Sequence, residues 1–135
     1  MSQLFGALPI SQSGLDAMQT WIDTTGGNIA NMNDQAPLTQ GVYQQQTPVF
    51  APITTPAGQG EGVAVTGIAL GPAAGEVVYD PTSPDANAQG LVREPSIDMG
   101  TQLVQLVQAE NAYQANTVAV KRAEQAYQSA LTLGS

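Results

Sequence analysis

The sequence has no cysteine and no histidine. Without cysteine there is no disulfide framework, no thiolate nucleophile and no clue to redox compartment. Without histidine the usual general base at neutral pH is missing. Cations are scarce as well: three Lys and Arg stand against 11 Asp and Glu, a formal charge of −8, and no basic residue precedes Arg93. Nucleic acids and anionic membrane surfaces are both held by clustered Lys and Arg, so no nucleic-acid partner is expected. No apolar run approaches the roughly 18 residues of a membrane span, so no membrane insertion is expected either. The first ten residues have neither the basic nor the long apolar region of a secretory signal. Aromatic residues make up 5% of the chain, yet its 42% apolar content contradicts wholesale disorder.

Charged residues make up only 10%, against about 25% in ordinary soluble domains. Gln, Asn, Thr and Ser fill the polar quota instead, a surface suited to lying against other protein. A length of 135 residues suits one compact domain, or a small domain with terminal arms that need a partner to bury them.

Catalysis would have to rest on carboxylates. Asp80 with Asp85, or Glu61 with Glu76, would make an acid/base pair or a Ca²⁺ site, but neither has the spacing of a known metal motif. Solvated carboxylates are the plainer reading. Gly58-Gln59-Gly60 lacks the Lys-Ser/Thr of a phosphate-binding loop. The expectation is no catalytic residue, no cofactor, no metal, and a structural subunit in place of an enzyme.

Two helices are expected. Over 8–29, Leu8, Ser11, Leu15, Met18, Ile22, Thr25 and Ile29 alternate steps of three and four, the spacing of a face that meets a partner helix. Ser13 to Asp16 has the form of a capping box, with a helix start nearer Leu4 as the alternative, and Gly26-Gly27 marks a fraying end or a close helix contact. The last helix enters at Pro95-Ser96-Ile97-Asp98, with Ser96 as N-cap, and stops near Gly134. There Leu106, Ala109, Tyr113, Asn116, Val120, Ala123, Tyr127 and Ala130 keep the same alternation, and Leu103, Val107 and Val118 widen it. Such a helix would be about 50 Å long, too long to be covered by the rest of the chain. Part of its apolar face must therefore meet another chain.

The middle holds most of the prolines and glycines. Strands are expected at 42–50, 61–70 and 76–80, with Pro48 making the first an edge strand, a bulge at Gly67, a turn at 56–60 and a constrained loop at 80–85. The fold class is mainly α with a small β region: two long terminal helices forming a coiled-coil-like pair, joined by a strand- and loop-rich middle segment. The arms, 1–36 and 97–135, form one helical domain around the middle, 37–96. Asp16 and Asp23 would meet Lys121-Arg122 if the helices pair antiparallel, at only about 0.2–1 kcal/mol per exposed pair. Trp21 lies off the seam and packs on the middle region or on a neighbouring subunit.

Three segments resemble the flagellar basal-body rod proteins, and among them the proximal rod proteins of C type. Ser13-Gly14-Leu15-Asp16-Ala17-Met18 with Asn28-Ile29-Ala30-Asn31 is similar to the N-terminal signature of axial flagellar proteins. The run from Val78 to Val92, through Asp80-Pro81 and Pro84-Asp85 to Gly90, with Pro95-Ser96-Ile97-Asp98, resembles the loop that sets the C type apart. Ala112-Tyr113-Gln114-Ala115-Asn116 with Leu131-Thr132-Leu133-Gly134 is similar to the C-terminal helix and tail. The chain departs from that pattern at Asp34, at Gln44-Gln45-Gln46 and at Gln102-Leu103.

The resemblance implies a rod subunit exported by the flagellar type III apparatus without a cleaved signal and polymerised across the periplasm. Its partners would be copies of itself, other rod proteins, the rod-to-membrane-ring adaptor and the export apparatus. It assigns subunit contacts to Leu15, Met18, Ile22, Asn28, Ile29 and Asn31 on the first helix. On the last helix it assigns them to Leu103, Leu106, Tyr113, Asn116, Val120, Tyr127 and Leu131, and in the loop to Tyr79, Asp80, Pro81, Pro84, Asp85 and Gly90. The alternatives are another axial rod or junction subunit, or a non-flagellar coiled-coil binding module.

Overall fold

The computed structural model describes residues 2–134, with side chains from residue 6 onward. Helix α1 (Ser2–Asn31) is followed by strands β1 (Gln46–Thr54), β2 (Gly60–Leu70), β3 (Glu76–Tyr79) and β4 (Leu91–Glu94), and then by helix α2 (Met99–Leu133). The fold is mainly α with a small β part.

Helix α1 begins earlier than the capping box suggests, and Pro9 lies inside it. Ser13 is therefore not an N-cap. Its hydroxyl donates to the Ile10 carbonyl at 2.6 Å, the back-bonding habit of a mid-helix serine, and accepts from the Val63 amide at 3.1 Å. Gly26 and Gly27 do not fray. An added Cβ at Gly27 would meet the Tyr43 hydroxyl at 3.4 Å, an ordinary contact with a loop tyrosine and not with a helix. The N-cap of α2 is Asp98, whose Oδ2 accepts from the amide of Thr101 at 2.8 Å and its hydroxyl at 2.7 Å. Ser96, the expected cap, donates instead to Glu76 at 3.1 Å.

Strands β1 and β2 form one two-stranded sheet, and β3 and β4 another. Both β1 and β2 are thus edges, which is why Pro48 and Pro52 are tolerated in β1. The hairpin closes through the Thr55 amide on the Gln59 carbonyl at 2.8 Å, with Gly58 at φ 80°. The positive-φ glycine of β2 is Gly62, at φ 128°. A Cβ on Gly62 would collide with the Ser13 hydroxyl. Strand β4 is not among the strands expected from the sequence. It pairs antiparallel with β3, from Glu76↔Glu94 to Tyr79↔Leu91, while Ala36 bridges Arg93 from its other side.

The chain divides into two compact units. Unit 1 is Met1–Ile22, Pro48–Gly67 and Val107–Ser135, and unit 2 is Asp23–Thr47 and Ile68–Leu106. Unit 1 has Ala17 and Ala109 as buried apolar residues, and Trp21 sits edge-on to Phe50 at 5.9 Å. That contact puts Trp21 against the middle region. In unit 2 Val92, on the inner face of the β3–β4 hairpin, is fully buried.

Candidate subunit interface

The deepest site of unit 2 is polar. Asn28, 1% exposed, is held by the Gln46 backbone: the Gln46 amide donates to its Oδ1 and its Nδ2 donates to the Gln46 carbonyl, both at 2.8 Å. The orientation of the amide is thereby fixed. Oδ1 accepts from the Tyr43 hydroxyl at 3.2 Å as well, and Nδ2 donates to Gln102 Oε1 at 2.9 Å. Burial of Tyr43 pushes its phenol above the ordinary value. Asn28 thus ties the end of α1, the segment leading into β1 and the start of α2 to one side chain. Gln102, with no exposed surface, is left with an Nε2 that has no partner among the described residues.

The loop after β3 is built by its own polar groups. Asp80 Oδ1 accepts from the Thr82 hydroxyl at 2.6 Å and the Thr82 amide at 3.2 Å, and Oδ2 accepts from Gln35 Nε2 at 3.0 Å. Those bonds, Thr82 first and Gln35 next, hold the Asp80 carboxyl below the ordinary aspartate range. Gln35 also donates to Glu94 at 2.7 Å, so one amide joins the loop to β4. Gly90 has φ 75°, and a Cβ there would stand 2.7 Å from the Tyr79 ring. Only glycine suits that position without strain.

In unit 1 the two helices approach closely at Gly14, where an added Cβ would stand 2.6 Å from Asn116 Oδ1. Asn116 Nδ2 donates to the Ala112 carbonyl at 3.0 Å. Glycine at position 14 is what lets the asparagine lie flat there.

Of the expected first-helix contacts only Asn28 is buried; Leu15, Met18, Ile22, Ile29 and Asn31 are half-buried. The buried line of α1 lies one residue round, at Gly14, Ala17, Thr24, Thr25 and Asn28. On α2 the expected seam has the right phase: Leu106, Tyr113, Asn116, Val120 and Tyr127 are half-buried and Ala109 is buried. Leu103 and Leu131 lie elsewhere, 48% and 52% exposed. In the loop Gly90 is buried, Asp80 and Asp85 are half-buried, and Tyr79, Pro81 and Pro84 are exposed. Nothing in the sequence pattern points to Tyr43 or Gln35, while Ser13 stands out only as a helix cap and Gln102 only as a departure from the family pattern. The available signal was a row of small and polar residues at helical spacing beside the apolar seam.

A row of apolar side chains on α2 faces solvent: Leu103, Val104, Val107 and Val118, 47–58% exposed. The β1–β2 hairpin adds Val49, Phe50, Ile53, Ile68 and Leu70. Among the described residues no group of three acids lies close enough to hold a metal ion. The polar cleft at the start of α2 contains Glu76 and Asp98, each engaged by a hydroxyl of its own unit.

The comparisons with known proteins fit a chain built for contact. Residues 88–133 match the family model described as "Flagellar basal body rod FlgEFG protein C-terminal". Along nearly the whole length the chain is 30% identical to the flagellar basal-body rod protein FlgC of Bacillus subtilis, covering 96% of this chain and 97% of that one. The chain belongs to the FlgC family of flagellar basal-body rod proteins. FlgC of Borreliella burgdorferi is 28% identical over 96% of this chain and 97% of its own, and FlgC of Aquifex aeolicus 31% over 86% of each. As a FlgC-family member the chain is a structural protein of the flagellar basal-body rod, a motility component that assembles with other rod proteins. No helix among the described residues is long and apolar enough to cross a membrane.

Proposed function

We propose that the chain polymerises with itself and with neighbouring axial proteins into a helical, tubular drive shaft that transmits torque and surrounds the export channel. The observation that carries this is the exposed apolar row on α2, since a long helix with too little cover is not stable alone. A heterologous contact that does not close on itself generates a helical filament.

In this reading α1 and α2 act as a coiled-coil-like pair. Leu15, Met18, Ile22, Ile29 and Asn31, with Leu103, Leu106, Tyr113, Val120, Tyr127 and Leu131, face neighbouring subunits, and the loop from Tyr79 to Gly90 touches flanking ones. Asn28, Asn116 and Gly90 shape these surfaces from within. Segments that order only when packed remain export-competent as monomers. The chain is then exported by the type III route without a cleaved signal and completes its fold in the periplasm, against the rod-to-membrane-ring adaptor and the export apparatus.

The test is assembly of the purified chain, alone and with other rod proteins, followed by sedimentation and electron microscopy. Concentration-dependent tubular or helical polymers are expected. A discrete closed dimer at every concentration would favour a coiled-coil binding module instead.

A further inference from the structure

We draw no further inference here: the strongest candidate, the polar cleft at the start of α2 lined by Glu76, Asp98 and the buried Gln102, carries nothing, because Gln102 Nε2 is sealed from solvent, both carboxylates are engaged by hydroxyls of their own unit, and nothing in the structure shows what would occupy the cleft.

Discussion

Unit 2 is held by buried amides and unit 1 by small residues, and the contrast separates what the chain does alone from what it does in company. In unit 2 Asn28 and Gln102 are almost sealed from water and nearly every polar atom around them has a partner. Such a network has one good geometry, so it specifies position more than it adds stability. In unit 1 the buried apolar residues Ala17 and Ala109 remove little area, while larger apolar groups on α2 stay in solvent. A helix that packs through alanine and glycine gains close approach and little hydrophobic energy.

The largest effect that would sharpen this contrast is expected from Asn28→Ala. It strands the Gln46 backbone, the Tyr43 hydroxyl and Gln102 together, for about 3–4 kcal/mol at a net cost near 1 kcal/mol per lost bond. Urea unfolding of the isolated chain measures it, and a loss under 1 kcal/mol would mean that water replaces the network without penalty. Gly14→Val comes next. It drives a branched side chain into Asn116 and should weaken the assembled polymer, in which α2 is complete, by about 1–3 kcal/mol, with Asn116→Ala relieving part of it in a double-mutant cycle. Val104→Ser with Val107→Ser should change the stability of the isolated chain by less than about 0.5 kcal/mol each and yet abolish assembly by sedimentation. The smallest effect is one of pH. Asp80 and Asp98 both have carboxyls held below the ordinary value of 3.8. Their hydrogen bonds therefore contribute stability above that value, and lose it as pH falls through the lower folded-state pKa. Side-chain carboxyl titration by NMR checks the direction, and a midpoint at or above 3.8 for either group would contradict it.

Much of this was legible in the sequence, unevenly. The seam of α2 was read in phase because Tyr113, Val120 and Tyr127 are large and regularly spaced, so periodicity alone carries them. On α1 the same rule chose Leu15, Met18 and Ile22, whereas burial went to Gly14, Ala17 and Thr25. Apolar spacing cannot report a helix whose closest contact is made by its smallest residues. β4 escaped because four residues between Gly90 and Pro95 are too short for any pattern, and its pairing with β3 is a tertiary event. The Asn28 lock was invisible for another reason: Gln46 holds Asn28 through its backbone, which no side-chain pattern records. Of the interface residues the sequence assigned, those in the loop are positioned by Asp80, Gln35 and Gly90, two of which the reading had named.

Amide exchange along α2, in the dilute chain and in the assembled polymer, tests the account most directly. Amides over 107–133 should exchange rapidly in the dilute chain and become strongly protected on assembly, while those around Gln102 change little. Full protection of 107–133 in a dilute, monomeric chain would contradict the claim that neighbouring subunits complete this helix.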